Sequence, residues 1–201
     1  MDERATASVR RKYDRNARFF DRMDRMVQDQ WRALVAARAI GTVLEVGVGT
    51  GNNLPFYRPE VTERLVGIDL SPGMLARSVA KTCQVPFELL EMDAQHMQFA
   101  SGTFDTVVAT CVFCTVPDPI QGLKEVRRVC KPSGRVLLLE HVRIDRPVVG
   151  PLMDALDPLV VGLIGTHINR RTVDNARRAG LRVERVEKLR GDLVLLIDAV
   201  P

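Results

Sequence analysis

The chain has 201 residues, a length that suits one domain with a full hydrophobic core. No run of about 18 apolar residues is free of charge, so no transmembrane helix is expected. The first 18 residues are polar and basic without an apolar signal region, and four irregularly spaced cysteines favour reduced thiols in a cytosol.

The basic excess lies at the N-terminal end. Residues 1–40 hold ten Arg and Lys against six Asp and Glu, whereas residues 41–201 hold nineteen of each. We therefore separate an N-terminal segment, 1–40, from a main domain, 41–201. This asymmetry predicts an anionic partner, either a membrane surface or a nucleic acid.

Residues 8–38 have the pattern of one long amphipathic helix or two short ones, with arginines and aspartates opposite an apolar stripe. Two interpretations remain open. The stripe packs on the main domain, or the segment forms a lid that also touches a membrane interface. The stripe consists of Phe20, Met23, Val27, Trp31 and Leu34.

From Thr42 onwards short apolar runs alternate with helical patterns, which predicts an α/β fold with a mainly parallel sheet. Strands are predicted at 42–47, 64–69, 86–91, 104–110, 135–140, 181–188 and 192–199. Helices are predicted near 53–57, at 72–81, at 118–130 and over 148–179 with a break near Gly165. A turn is predicted at 131–134.

The first strand ends in three glycines at alternate positions, Gly47, Gly49 and Gly51. Glycine permits positive φ and lets a ligand lie against the main chain. Asn53 is a good cap for a following helix, whose free N–H groups would face the same ligand. Glu45 is a carboxylate inside an apolar strand, so we expect it to meet a cationic or hydrogen-bonding partner.

Carboxylates also end the next two strands. Asp69 follows Gly47 by 22 residues and is placed to accept the hydroxyls of a ribose, or alternatively to cap a helix. Asp93, one strand further on, is placed to face an adenine amino group. Because ligands bind at the carboxyl ends of parallel strands, Thr110–Thr115 and Glu140–His141 are expected on the same rim.

Several segments resemble class I S-adenosylmethionine (SAM) methyltransferases over about residues 40–140. They are E-V-G-V-G-T-G, G-I-D-L-S-P-G-M-L, M-D-A, F-D-T-V-V and R-V-C-K-P-S-G-R-V. Y-D-R-N-A-R-F-F-D is similar to quinone C-methyltransferases and bacterial phospholipid N-methyltransferases. Three later segments resemble phosphatidylethanolamine N-methyltransferases: C-V-F-C-T-V-P-D-P, L-E-H-V and G-T-H-I-N-R-R-T. Animal membrane-associated thiol methyltransferases share much of that pattern.

The resemblance implies a Rossmann-like seven-stranded, mostly parallel sheet with helices on both faces, an N-terminal amphipathic helical lid, and SAM as cofactor. Glutamate and glycines of the first motif would hold the methionine end, and Tyr13 would reach over the cofactor from the lid. The implied cofactor residues are Glu45, Gly47, Gly49, Gly51, Asn53, Asp69, Leu70, Met74, Asp93, Ala94, Thr110 and Cys111.

Transfer of a methyl group to an ammonium nitrogen requires its deprotonation. His141, at the end of the fifth strand, is the best placed base or substrate contact, because its ordinary pKa lies near working pH. The alternative is a structural hydrogen bond to Glu140 or Asp145. Tyr13 and His167 are second choices.

Cys111 and Cys114 form a C-x-x-C pair, which raises the question of a metal or redox site. The sequence lacks a second pair and a histidine at zinc spacing, so packed thiols and no metal are expected.

Residues 148–165 are unusually apolar, interrupted only by Asp154 and Asp157. Two interpretations remain open, a core helix packed on the sheet or the wall of an apolar substrate channel that opens to a membrane face. The following His167, Asn169, Arg170 and Arg171 suit a phosphate group, or alternatively form a solvated basic helix start.

Three hypotheses follow. The first is methylation of phosphatidylethanolamine by a cytoplasmic enzyme bound peripherally to an anionic membrane at the inner face of the cell membrane. The second is methylation of a small apolar thiol or quinone. The third is a SAM-binding regulator or a nucleic-acid methyltransferase. No nucleic-acid partner is expected, because the fourth strand ends in T-C-V-F and no aromatic base platform is visible.

Overall fold

The computed structural model of the protein describes residues 6–7, 10–11 and 27–201. Tyr13 and two residues of the predicted apolar stripe, Phe20 and Met23, lie outside the described residues. The described end of that segment forms helix α1, Asp29–Ala36, which buries Trp31 and Val35 against the main domain.

Seven strands and five α-helices follow one another along the described chain 27–201. The strands are β1 Gly41–Val46, β2 Thr62–Asp69, β3 Phe87–Glu91, β4 Phe104–Thr110, β5 Cys130–His141, β6 Arg182–Arg190 and β7 Val194–Val200. After α1, the helices are α2 Pro72–Ser78, α3 Pro119–Val129, α4 Val149–Ile164 and α5 Thr172–Arg178, with a 3-10 turn at Leu54–Phe56.

The strands form one sheet in the order β3-β2-β1-β4-β5-β7-β6. The first five strands are parallel, whereas β7 is antiparallel to both β5 and β6. The order reverses at β1, which lies between β2 and β4, so a crevice forms beyond the carboxyl ends of these strands. The predicted Rossmann-like architecture is therefore confirmed.

Helices cover both faces of the sheet, as the alternating side chains of β5 show. Val136 and Leu138 pack into the core that includes α3 and α5, whereas Leu137 and Leu139 pack into the core that includes α1. Both sets are fully buried, which is the pattern of a central strand with helices on either side.

The predicted turn at 131–134 is wrong, because K-P-S-G belongs to β5. Phe104 pairs with Cys130 and Thr106 with Arg135, so the extra residues of β5 are accommodated in a bulge. A Cβ on Gly134 would lie 2.8 Å from the Asp105 carbonyl oxygen, so only glycine permits this close approach. The predicted helix 72–81 also ends early, at Ser78.

The long helical region predicted over 148–179 is two helices, α4 and α5. Gly165 ends α4 with a φ of 80°. The interpretation of α4 as a core helix is wrong, because Gly150 and Asp157 are its only buried residues. Within the described residues, no helix has the length and apolar character needed to cross a bilayer.

Candidate active site at the carboxyl edge of the sheet

A cavity of about 580 Å³ lies beyond the carboxyl ends of the parallel strands. One side is formed by the glycine turn after β1 and the ends of β2 and β3. The other side is formed by the end of β5, helix α4, the segment after it and the β6–β7 turn. Of the implied cofactor residues, all but Gly51 line it: Glu45, Gly47, Gly49, Asn53, Asp69, Leu70, Met74, Asp93, Ala94, Thr110 and Cys111.

A buried polar network forms the floor of the first side. The Asn53 amide donates hydrogen bonds to Glu45 Oε1 (2.9 Å) and to Thr110 Oγ1 (2.9 Å), while Arg32 Nη1 donates to Asn53 Oδ1 (2.6 Å). The expectation of a hydrogen-bonding partner for Glu45 is confirmed. Because every group is fixed by another, Glu45 needs little rearrangement to receive a ligand cation.

The glycine turn leaves room for a ligand beside the backbone. Gly47, Gly49 and Gly51 have φ values of 65°, 56° and 81°. A Cβ on Gly49 would point into open space, with only the Gly47 carbonyl oxygen near it at 3.9 Å. This space adjoins Glu45 and Asp69, so the ammonium group of a bound amino acid could reach the first carboxylate and a ribose the second.

The two strand-end carboxylates are held by backbone N–H groups. Asp69 accepts hydrogen bonds from Gly49 N (2.9 Å) and Ser71 N (2.9 Å), which ties the end of β2 to the glycine turn. Asp93 accepts from Gln95 N (2.8 Å). Asp69 therefore combines a turn-stabilising role with its position at the cavity, and the ribose and adenine contacts remain predictions.

The turn after β4 is held by a buried carboxylate. Cys111 has a φ of 53°, a left-handed conformation that is uncommon for residues other than glycine. Glu140 Oε1 accepts the next two backbone N–H groups, from Val112 (2.9 Å) and Phe113 (3.0 Å). Burial raises the pKa of Glu140 to about 7 despite these bonds, which act in the opposite direction.

The predicted pair of thiols shows no disulfide. Cys114 is buried and its Sγ donates to the Cys111 carbonyl oxygen (3.2 Å), and both residues line the cavity. Burial raises the pKa of Cys114 well above its ordinary value, which keeps this thiol protonated at neutral pH.

His141 lines the cavity and is oriented by a main-chain carbonyl, not by Glu140 or Asp145. Its Nε2 lies 3.0 Å from the His167 carbonyl oxygen. Since that oxygen only accepts, Nε2 carries the proton, and Nδ1 holds the lone pair of the neutral ring. Burial lowers the pKa of His141, an effect the carbonyl partly opposes, so the ring is neutral at pH 7.

Helix α4 fixes the segment that orients His141. Asp157, buried on α4, accepts hydrogen bonds from His167 Nδ1 (2.7 Å) and Ile168 N (2.8 Å), and His167 N donates to the Cys114 carbonyl oxygen (2.9 Å). His167 is therefore placed as a support for His141, through its main chain, and its side chain does not line the cavity.

The four residues predicted to hold a phosphate do not line the cavity. Arg170 Nη2 donates to the Val116 carbonyl oxygen (3.1 Å), and burial lowers the pKa of Arg170. Arg171 pairs with Asp145 (2.9 Å), and Asn169 donates to Asp154 (3.3 Å). These three side chains thus bond neighbouring residues, and the substrate role of the four residues stays a prediction.

Among the described residues, three arginines at the cavity were missed by sequence reasoning, and one of them, Arg10, pairs with Glu91 at 2.6 Å. Arg32 was assigned to the polar surface of the N-terminal segment, yet it is 4% exposed and belongs to the Glu45 network. Arg190 lines the cavity from the end of β6. No sequence signal marks Arg190, because its position depends on the antiparallel return of β6 and β7.

Comparison with known proteins agrees with this geometry. A family model described as a methyltransferase domain matches residues 44–138. A solved SAM-dependent methyltransferase from Aquifex aeolicus superimposes with a TM-score of 0.57 and 24% identity over 79% of this chain and 80% of its own. Another, from Mesorhizobium loti, superimposes with a TM-score of 0.63 and 20% identity over 80% of this chain and 91% of its own. At these identities the two structures show the shared fold.

Curated relatives define the family more closely. The phosphatidylethanolamine N-methyltransferase of Cereibacter sphaeroides is 40% identical over 152 residues, 72% of each chain. The chain belongs to the class I SAM-dependent methyltransferases. Two other similar relatives have different acceptors in their names. A human thiol S-methyltransferase is 40% identical over 50% of this chain and 43% of its own. A ubiquinone/menaquinone biosynthesis C-methyltransferase of Bdellovibrio bacteriovorus is 30% identical over 64% of this chain and 56% of its own.

The protein is therefore a SAM-dependent methyltransferase, and the glycine turn with its adjoining carboxylates fits the cofactor. Glu45 would meet the amino group of the methionine portion, Asp69 the ribose and Asp93 the adenine. When bound, the cofactor supplies a methyl group activated by a sulfonium centre. The chain's own residues have to orient the acceptor, exclude water and remove a proton.

Proposed function

We propose that the protein transfers methyl groups to the nitrogen of phosphatidylethanolamine and of its partly methylated derivatives, towards phosphatidylcholine, at a membrane surface. The observation that carries this proposal is the shape of the cavity. Besides the cofactor residues, the residues that enclose this one cavity include an apolar wall and an exposed arginine, Arg190.

The apolar wall suits hydrocarbon chains. It is contributed by four separate parts of the chain: the segment after β5, helix α4, the segment that follows α4, and the β6–β7 turn. An amphiphilic acceptor gains from this wall because burying apolar surface is favourable, at about 25 cal/mol per Å². The wall residues are Ile144, Val149, Met153, Ile164, Ile168, Leu193 and Val194.

Arg190 is the best placed side chain for a headgroup phosphate. Its guanidinium makes no ion pair with the described residues, whereas Arg171 pairs with Asp145 and Arg170 bonds the Val116 carbonyl. A guanidinium that is free at the cavity can bind a phosphate through two parallel hydrogen bonds. This assignment transfers the predicted phosphate contact from Arg170 and Arg171 to Arg190.

His141 supplies the proton acceptor that this reaction needs. The substrate ammonium has no lone pair until a proton is removed. The neutral ring with its lone pair on Nδ1 lies among the residues of both sides of the cavity. The proton would pass from the ammonium nitrogen to Nδ1 of His141, and the freed nitrogen lone pair would form the bond to the methyl carbon as the bond from that carbon to the sulfonium sulfur breaks.

A small apolar thiol is the second candidate acceptor. The apolar wall and the neutral His141 favour it as well, and a human thiol S-methyltransferase is among the similar relatives. A thiol acceptor makes no use of the Arg190 guanidinium, so the two candidates differ in their dependence on that side chain.

Mass spectrometry of acceptors incubated with the protein and methyl-labelled SAM tests the proposal. The parallel acceptors are phosphatidylethanolamine in mixed micelles, a small alkyl thiol, a reduced quinone and an RNA oligonucleotide. We expect label on the phosphatidylethanolamine nitrogen, giving mono-, di- and trimethylated products. Label on the thiol, the quinone or the RNA, with none on the lipid, would refute it.

A further inference from the structure

Helix α4 has an inverted distribution of side chains. Five apolar residues of the helix and its N-cap face outwards: Val148, the N-cap, is 77% exposed, Leu152 56%, Leu156 43%, Leu159 62% and Leu163 68%. The helix buries a carboxylate instead, that of Asp157, which holds the segment 167–168. Exposed leucines in this number are unusual for a surface helix that has no partner.

These five exposed residues form a continuous ridge, which we call the α4 ridge. Their spacings of three and four place them on one face of the helix. The 16 residues of α4 extend over about 24 Å. The helix carries no Lys, Arg or Glu, and its exposed carboxylate, Asp154, is neutralised by Arg143 at 2.8 Å.

The α4 ridge is continuous with the substrate side of the cavity. Val149, Met153 and Ile164 of the same helix line the cavity wall, next to the ridge residues Val148, Leu152 and Leu163. An acyl chain leaving the cavity along α4 therefore stays in contact with apolar side chains.

Basic groups border the ridge near its N-terminal end. Arg143 forms ion pairs with Asp154 of α4 and with Asp145, and Asp145 also pairs with Arg171. Arg146 accepts the Gly150 N–H through its carbonyl, so it lies at the helix start, and its side chain is 68% exposed. Arg146 pairs with Asp192 at 2.9 Å, so with Arg190 at the cavity the four arginines outnumber the three carboxylates they meet, Asp145, Asp154 and Asp192, by one. The border is therefore complementary to anionic phosphates.

The dimensions of the ridge do not suit a stable dimer. A face about 24 Å long and about 10 Å wide is roughly 240 Å², whereas a specific protein interface buries about 800 Å² on each partner. An interfacial helix needs much less, because its apolar face enters the boundary between headgroups and acyl chains by only about 5–10 Å.

From these observations we infer that the α4 ridge inserts into the interfacial region of a phospholipid bilayer that contains anionic lipid, and so presents the cavity to its lipid acceptor. The inference deepens the proposed function and rests on it for the identity of the acceptor. It assigns the membrane contact to α4, independently of the N-terminal segment.

Co-sedimentation with vesicles of phosphatidylethanolamine and phosphatidylglycerol tests the inference. The Leu156→Asp plus Leu159→Asp variant should bind these vesicles at least tenfold more weakly than the unaltered protein, since two apolar side chains no longer enter the bilayer. The matched control is Ile40→Asp plus Val79→Asp, which adds the same charge at two exposed apolar residues away from the cavity. It should keep full binding.

A second measurement keeps the outcome clear if the double variant folds poorly. Brominated acyl chains should quench the fluorescence of a Leu159→Trp variant, whereas Val79→Trp should be unaffected. Equal vesicle binding by the ridge and control variants, no quenching of Leu159→Trp, or a concentration-dependent dimer abolished by Leu156→Asp plus Leu159→Asp would overturn the inference. Phosphatidylethanolamine in mixed micelles is still methylated in those cases if the proposed function is right.

Discussion

The two sides of the cavity are built in different ways. The cofactor side comes from Arg32 of α1, residues 45–94 and the end of β4, and its polar groups are tied to one another, as in the Glu45–Asn53–Arg32 network. The acceptor side comes from residues 141–194, is mainly apolar, and has few ionisable groups, chiefly His141 and Arg190.

This contrast indicates where specificity lies. A constant, charged cofactor is best held by preorganised polar groups that need no rearrangement. The acceptor side requires few directed contacts, so relatives can share the first side and differ in the second. Catalysis and acceptor choice should therefore depend on single residues of the acceptor side, and cofactor affinity on the glycine turn and the polar network of the cofactor side.

Replacing His141 should have the largest effect on catalysis, and it should distinguish the acceptor side from the cofactor side because SAM affinity should not change. His141→Gln keeps an N–H donor for the His167 carbonyl but removes the proton acceptor, so kcat should fall by about 10²–10⁴ with unaltered SAM affinity. Stopped assays and calorimetry measure the two quantities. His96→Gln, at an exposed histidine, is the control, and an unchanged kcat for His141→Gln would exclude the role.

The pH dependence of kcat gives a second test of His141, by comparing the unaltered protein with His141→Gln. Because the pKa of His141 is lowered from 6.5, the ring is neutral at pH 7 and gains its proton only in more acid solution. The acid limb of kcat should therefore lie below pH 6.5, and be absent in His141→Gln.

Adding a methyl group at Gly49 should damage the cofactor side alone. Gly49→Ala places a Cβ in the space beside the backbone and should weaken SAM binding roughly tenfold to hundredfold, corresponding to about 1–3 kcal/mol of steric cost. Gly191→Ala is a matched control, because Gly191 also has a φ of 56° with open space around it. Calorimetry showing equal SAM affinity in both variants would contradict the assignment.

Removing the Arg190 guanidinium should weaken acceptor binding by about tenfold to hundredfold. Arg190→Ala deletes a charged hydrogen bond worth about 1.5–3 kcal/mol, so KM for phosphatidylethanolamine should rise while the rate with a small thiol is unaltered. Arg182→Ala, at the other end of β6, is the control. A loss with Arg170→Ala that exceeded the loss with Arg190→Ala would return the phosphate contact to the former.

The smallest expected effect concerns stability. Glu140 has a pKa of about 7 in the folded protein against an ordinary 4.5. The folded state therefore holds this proton more tightly than the unfolded state, and stability falls as pH rises from about 4.5 to 7. Tm should drop by several degrees less between pH 5 and 8 in Glu140→Gln than in the unaltered protein. Glu63→Gln, at an exposed site, should behave like the latter.

Most of the cofactor side could be predicted from the sequence, because its residues lie within local motifs. A buried strand, a glycine turn and a strand-end carboxylate follow one another along the chain, so the parallel sheet brings them together. The acceptor side could not, since its members come from segments far apart. Arg170 and Arg171 illustrate the difficulty: their type suits a phosphate, but only the structure shows that Arg170 bonds the Val116 carbonyl and that Arg171 pairs with Asp145.

The sequence alone determined the α/β architecture, the position of the glycine turn and the set of carboxylates beside it, because strand periodicity and local turns encode them. Tertiary structure decided the rest. The exposed face of α4, the carbonyl that fixes the His141 tautomer and the arrival of Arg190 at the cavity all depend on contacts between distant segments. An apolar run has the same pattern whether its side chains face the core or the solvent, and only packing separates the two.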